Sequence, residues 1–241
     1  VSPHSYRILK KECLDLPDKV YSKRFVELSD EQKKAYAEMK ANAMSILKGE
    51  SMTAVNVLTQ LIRLHQITCG HMKTDSHQVI DLKNNRLTEL MQILDETSGK
   101  AIIWANYIHD IEAIEKAVKK EFGNDSCCTY YGATAAEDRQ KCVNNFQDPD
   151  SPVRFFIGNT QTGGYGLTLT AASTVIYYSN NYDLEKRIQS EDRAHRIGQT
   201  NKVLYIDLIA EGTVDEKIIK SLRNKVNIAK EISGEELITW I

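Results

Sequence analysis

The stretch Gln189-Ser190-Glu191-Asp192-Arg193-Ala194-His195-Arg196-Ile197-Gly198-Gln199 decides the reading of this chain. On a helix, positions i, i+4 and i+7 share a face. Gln189, Arg193 and Arg196 therefore point one amide and two guanidiniums toward a single target. Arginine is always charged and presents a planar fork of donors that matches phosphate oxygens. Gly198 is placed to end the helix. Glu191 and Asp192 also permit a plainer reading, a solvated face of paired charges. The glutamine, the histidine and the Ile-Gly-Gln close favour a phosphate-directed arginine pair, which is what an arginine-finger element needs.

The rhythm around this stretch is helix, strand, helix, strand. Ala101-Ile102-Ile103-Trp104-Ala105 is short, continuous and apolar, as expected of a strand covered on both faces. Further strands are expected at Cys127 to Tyr131, Val153 to Gly158, Thr174 to Tyr178 and Val203 to Ile209. Helices are expected between them, with capping boxes at Thr134/Glu137 and Thr213/Glu216, the last helix reaching about Lys230. Strands that alternate with helices imply an α/β fold with a parallel sheet and helices on both faces. Residues 1 to 80 read differently. Tyr21 to Leu28 alternates like a strand, Ser29 with Gln32 opens a helix to about Leu47, and a second helix runs from about Thr53 to Thr68. The two form a helical hairpin. Residues 70 to 85 read as an irregular linker.

In open parallel sheets, ligands bind beyond the carboxyl ends of the strands. Asn106-Tyr107, the loop Thr160 to Gly166 and the loop Asn180 to Asp183 all follow strands. They are expected to converge on one site made of Gly163, Gly164, Gly166, Arg193 and Arg196. The glycines allow close backbone approach, and their N–H groups are suited to a phosphate or ribose; a glycine cluster is equally a turn. Asn106, at the end of its strand, either hydrogen-bonds a phosphate or caps the next helix. His195 is assigned a structural or coupling role rather than acid-base work.

Gln189 to Gln199 resembles motif VI of the Snf2-like branch of superfamily 2 helicase-type ATPases. Ala101 to Asn106 resembles motif IV, and Asn159 to Ala172 resembles motif V, with Tyr165-Gly166-Leu167-Thr168-Leu169 in place of the common Leu-Gly-Ile-Asn-Leu. Cys13-Leu14-Asp15-Leu16-Pro17 and the His65-Gln66 region resemble the Snf2 helical insertion. The resemblance implies a RecA-like second lobe (a P-loop NTPase-type fold) over residues 86–230, a helical extension over 1–80 and a terminal brace over 231–241. It implies that Arg193 and Arg196 are catalytic arginine fingers and that Gly164, Gly166 and Gln189 face ATP. Thr160, with Asn106, would contact the DNA backbone. It further implies movement along duplex DNA rather than strand separation, driven by ATP with Mg²⁺ held mainly by an N-terminal RecA-like lobe of the same protein. The competing class is a non-catalytic nucleic-acid-binding or regulatory module with the same fold.

The bulk properties bound these expectations. The chain has 241 residues, 27% charged, with a formal net charge of −2. That balance is not the basic one of a dedicated nucleic-acid binder, so any DNA contact is local. No apolar run approaches the length of a membrane span, and no membrane partner is expected. There is no G-x-x-x-x-G-K-[ST] and no strand-ending Asp-Glu pair. With Val1 as the first residue, a fragment is expected, one that alone hydrolyses no ATP at a useful rate. The five cysteines are irregularly spaced, so no disulfide framework is expected and a reducing compartment is. His65, Cys69, His71 and His77 fit no standard zinc spacing, and no metal site is assigned. The compact pattern and the Thr-Gly-Gly-Tyr-Gly variant point to a bacterial or phage-type member in an intracellular, cytoplasmic rather than nuclear setting.

Overall fold

In the computed structural model, residues 16–49, 54–74, 78–163 and 166–224 are described. Gly164, Cys13 to Asp15, His77, the end of the last expected helix and the expected brace at 231–241 lie outside them. In chain order the elements are β1 (Lys19–Val26), α1 (Asp30–Gly49), α2 (Ala54–Cys69), β2 (His71–Lys73), β3 (Val79–Asp81), α3 (Asn85–Glu96), β4 (Lys100–Trp104) and α4 (Ile108–Phe122). There follow β5 (Cys127–Tyr130), α5 (Ala136–Gln147), β6 (Phe155–Gly158), α6 (Thr160–Gly163), β7 (Ala172–Tyr177), α7 (Leu184–Ala194), β8 (Val203–Ala210) and α8 (Val214–Arg223).

Six strands form one parallel sheet in the order β1-β8-β7-β4-β6-β5. The central strands are buried on both faces, which explains their continuous apolar runs: Ala101, Ile102, Ile103 and Trp104 of β4 are all fully buried. One face packs Leu90, Ile93 and Leu94 of α3 with Ile111, Ile114 and Val118 of α4 against Ile103, Ile157 and Ile176. The other packs Phe146 of α5 and Ala194 of α7 against Trp104, Phe156 and Tyr205. This is the RecA-like second-lobe architecture, with helices on both sides of the sheet.

The described part of the expected extension over 1–80 does not stand apart from it. β1 pairs along its whole length with β8, from Lys19 opposite Val203 to Val26 opposite Ala210. An alternating strand finds its hydrogen bonds on the otherwise open edge of β8, so the sheet begins well before the expected boundary near 86. The hairpin α1–α2 also shares its core with the lobe, where Val57, Leu61 and Leu64 pack with Ile209, Ile218 and Ile219. The stretch 70–85 is not wholly irregular, since β2 and β3 pair antiparallel within it.

The caps divide. At α1 the Ser29 Oγ accepts from the Gln32 N–H at 3.2 Å while the Gln32 amide accepts from the Ser29 N–H at 3.1 Å, the reciprocal box expected. At α5 the expected box does not form; Ala135 is the cap residue, and the Thr134 Oγ accepts instead from the Tyr131 N–H at 3.3 Å. At α8 Thr213 caps the Asp215 N–H, but Glu216 reaches Gly212 rather than Thr213.

One sequence expectation about cysteine fails. Cys128 of β5 and Cys142 of α5 form a disulfide, while Cys69 and Cys127 are buried free thiols. A separation of 14 residues carries no signature, and it is the folding of α5 back onto β5 that brings the two sulfurs together. Among the described residues, no helix is long and apolar enough to cross a membrane.

Candidate functional site: the arginine corner and the carboxyl-edge cleft

Asp183 starts α7 by accepting from the Glu185 N–H at 2.9 Å. The helix turns Arg187, Ser190, Glu191 and Ala194 inward, the spacing of one helical face. Three of these four are polar, so the contact with the sheet is made by directed bonds. The Arg187 guanidinium lies 3.5 Å over the Tyr177 ring. It donates to Asn180 Oδ1 at 2.6 Å, to the Asp207 carboxylate of β8 and to Glu191 Oε1 at 2.9 Å. Tyr177 Oη and Ser190 Oγ lie 2.6 Å apart, and the Tyr205 hydroxyl donates to the Glu191 carbonyl at 2.8 Å. From β1, Lys19 and Tyr21 donate to Glu191 Oε2 at 3.0 and 2.8 Å. Burial and then the Glu191 charge push the Tyr21 phenol well above its ordinary range.

The helix ends at Ala194, four residues before Gly198. Arg193 closes its last turn, and Arg196 lies just beyond it. Both guanidiniums nonetheless donate to one acceptor, the Leu167 carbonyl, each at 3.3 Å. Burial, then the neighbouring charge of Arg196, lower the Arg193 guanidinium from its ordinary value. Gly198 turns the chain at φ +98, a conformation that side-chain-bearing residues rarely adopt. Gln199 then locks the turn by donating to the carbonyls of Ala172 and Ala194 at 2.9 and 3.2 Å. Gln189 is partly exposed; its amide donates to Glu185 at 3.3 Å, and its carbonyl accepts from Arg193 Nε at 3.1 Å. It supports the corner through its backbone rather than aiming its amide there. Gly166 is exposed, one residue before Leu167, with open space where a Cβ would stand.

The single convergence expected from the sequence divides into two surfaces. The loop before α7 does start at the carboxyl edge of the sheet, but α7 runs back for about 16 Å at 1.5 Å per residue. Its arginines finish beside the amino ends of β7 and β8, as the bonds from Gln199 to Ala172 show. The carboxyl edge holds a second, separate surface, a cleft of about 490 Å³ whose lining includes Asn106, His109, Lys73, Gln161 and Thr162. Asn106 is half-buried. Its Oδ1 accepts from Asn181 at 3.0 Å and its carbonyl from Asn159 at 2.7 Å. It does not cap α4, where Tyr107 is the cap residue. Thr160 is only 4% exposed, so its hydroxyl sits beneath the surface while exposed Gln161 faces the cleft.

Sequence reasoning missed two buried arginines. Arg187 answers Asp207, a carboxylate inside the apolar run of β8. A buried charge needs a partner, and Asp207 was the readable signal. Arg86 of α3 is fully buried; it pairs with Asp215 and donates to the carbonyls of Thr68 at 3.1 Å and Leu208 at 3.3 Å. The sequence-adjacent His65, Cys69 and His71 are likewise absorbed by structure. His65 meets Tyr107 and Asp215, and His71 Nδ1 lies 3.1 Å from Asp110. Burial pushes the Cys69 thiol well up. Among the described residues, no group of three or more His, Cys, Asp or Glu side chains is placed to hold a metal ion.

The helicase conserved C-terminal domain matches residues 82–198. The chain is 29% identical over 243 residues to snf22, a SWI/SNF chromatin-remodeling complex subunit of Schizosaccharomyces pombe, covering 94% of this chain and 14% of that protein. It is 30% identical over 254 residues to the Bacillus subtilis protein YwqA, covering 100% of this chain and 27% of that protein. The chain thus spans about a quarter or less of these relatives' length. The SWI2/SNF2 ATPase core of Sulfolobus solfataricus, solved with double-stranded DNA, superposes with a TM-score of 0.73 at 26% identity, over 96% of this chain and 52% of that one. The relatives are drawn mainly from eukaryotic chromatin-remodelling proteins of yeasts and Arabidopsis thaliana, with bacterial proteins beside them. That spread overturns the expectation of a bacterial or phage-type member with a cytoplasmic setting. A parallel sheet of this order, the arginine pair within Arg-Ala-His-Arg-Ile-Gly-Gln and these relatives agree: the chain belongs to the Snf2 family, as its C-terminal helicase lobe.

Proposed function

We propose that this lobe works as the second half of a DNA-dependent ATPase that moves along duplex DNA, with Arg193 and Arg196 as its arginine fingers. The observation that carries the reading is the sharing of the Leu167 carbonyl by both guanidiniums, which sets two permanent cations side by side on one corner of the lobe. Two neighbouring forks of donors suit the oxygens of a transferring phosphoryl group, whose charge spreads in the transition state. ATP, bound between this lobe and an N-terminal one, supplies the reaction's free energy. The corner offers cations rather than carboxylates, so Mg²⁺ belongs mainly to the other lobe. Gly164 and Gly166, in the segment leading to Leu167, are assigned to the same nucleotide-facing side, with Gln189 supporting it.

The carboxyl-edge cleft is the DNA side in this reading. Asn106, with Gln161 and Thr162 beside the buried Thr160, offers amides and a hydroxyl to phosphate oxygens. Such contacts read backbone, not sequence, and weaken with salt. The lobe alone, without a phosphate-cradling loop, turns over no ATP.

The test is Arg193→Ala and Arg196→Ala in the protein that carries both lobes, with ATP turnover measured with and without duplex DNA. Loss of an arginine finger reduces turnover by about a thousandfold or more in finger-dependent systems. Wild-type turnover in both variants would refute the assignment.

A further inference from the structure

The turn between the two arginines is held from outside the helix. His195 is the C-cap residue of α7, and its Nε2 lies 2.7 Å from the Pro17 carbonyl, 178 residues away in sequence. A carbonyl can only accept, so Nε2 carries the proton. Three further contacts join the same two parts of the chain. Lys19 reaches Glu191 at 3.0 Å and Asp192 at 3.5 Å, and Tyr21 reaches Glu191 at 2.8 Å. Pro17 in the lead-in and Lys19 and Tyr21 of β1 therefore grip the last turn of α7 at its cap and at the residues just before Arg193.

We propose that His195 is a positioning residue for Arg193 and Arg196, and that Lys19 and Tyr21 complete the grip, so that the chain entering β1 sets the direction of the arginine pair. This rests on reading that pair as nucleotide-facing. Three features support it. His195 stands between the arginines in sequence, so fixing its ring fixes the backbone turn that separates them. The Leu169 N–H donates to the Arg193 carbonyl at 2.9 Å, which holds the turn from the opposite side. The inward face of α7 is polar, and directed bonds define rotation about the helix axis more narrowly than apolar packing does. His195 takes no proton from substrate in this scheme and acts only through the arginines.

The experiment compares His195→Ala, His195→Gln and Arg196→Ala in the protein carrying both lobes, measuring kcat and KM for ATP with duplex DNA, and the melting temperature. A misplacement of about 1 Å at a reacting centre costs up to about a hundredfold. His195→Ala is expected to lower kcat between about tenfold and about a hundredfold, with KM for ATP moved by less than about threefold. Glutamine keeps an N–H donor at similar reach, so His195→Gln is expected to recover most of the turnover. Wild-type kcat in His195→Ala overturns the proposal, as does a glutamine variant as impaired as alanine at equal melting temperature. If His195→Ala fails to fold, Lys19→Ala combined with Tyr21→Phe takes its place; a several-fold loss of kcat supports the grip and no loss overturns it. If Arg196→Ala itself leaves turnover intact, the finger reading falls instead, and a loss confined to the His195 variants is then a structural effect.

Discussion

His65 makes the stability of this fold sensitive to mild acid. Its ring is 1% exposed, with Nδ1 2.9 Å from the Tyr107 hydroxyl and Nε2 3.6 Å from Asp215 Oδ1. Burial lowers its pKa from 6.5 to about 4; the Asp215 carboxylate works against that shift, and the Arg86 guanidinium adds to it. In the unfolded chain the ring takes up a proton as pH falls below 6.5, while the folded ring stays neutral until about pH 4. Stability therefore falls with pH through that window, by about 1.4 kcal/mol per pH unit and about 3 kcal/mol in all. Asp215 titrates with the opposite sign. Burial pushes its carboxyl up, but Arg86, His65 and the Ala210 N–H more than offset this and hold it below the usual carboxylate range. Its contribution persists across the window and disappears only as pH falls below it. Urea unfolding at pH 7.5, 6.5, 5.5 and 4.5 measures the slope, with His65→Gln as the comparison that cannot titrate. The variant is expected to be flatter than the wild type by about 3 kcal/mol over the range. Parallel curves for the two proteins would refute the reasoning, because the loss would then come from other groups.

Arg86→Met removes the cation from a fully buried pair and leaves the Asp215 carboxylate alone; breaking such a pair costs about 3–5 kcal/mol, to be read from the urea midpoint at neutral pH. Cys128→Ser opens the link between β5 and α5; closing a loop of this size is worth about 3 kcal/mol. The wild type, but not the variant, should therefore lose melting temperature on addition of reductant, with two more titratable thiols appearing.

The sheet was legible in the sequence because its central strands are covered on both faces. Ile102-Ile103-Trp104 and Phe155-Phe156-Ile157 are apolar without interruption, and runs this short, set between helical stretches, fit buried parallel strands far better than solvated ones. β1 was harder to place. Its alternation, with Tyr21 and Phe25 half-exposed, says strand but does not name a partner, and the register against β8 is a long-range fact. The arginine pair was legible by type and spacing, although its geometry was not. Arg193 and Arg196 meet because Leu167 arrives from another loop, rather than because they share a helical face. The Cys128–Cys142 link and the buried partners of Arg86 and Arg187 are contacts across many residues that no local pattern encodes.

The two surfaces at opposite edges of the sheet are joined by one segment. The chain leaves the carboxyl end of β6, lines the cleft with Gln161 and Thr162, and reaches Leu167 on its way to the amino end of β7. In the proposed function this segment faces DNA at one end and the nucleotide at the other. The Leu167 carbonyl is a single acceptor shared by two like charges. Their mutual repulsion, which contributes to lowering the Arg193 guanidinium, is relieved when an anion arrives between them. At near-surface dielectric, unit charges a few ångströms apart interact by on the order of a few kcal/mol. A pair held this way gains more from binding a phosphate than two separated arginines gain. In the proposed function, a shift of the Leu167 carbonyl would change how closely the two guanidiniums are held together, and with it that gain.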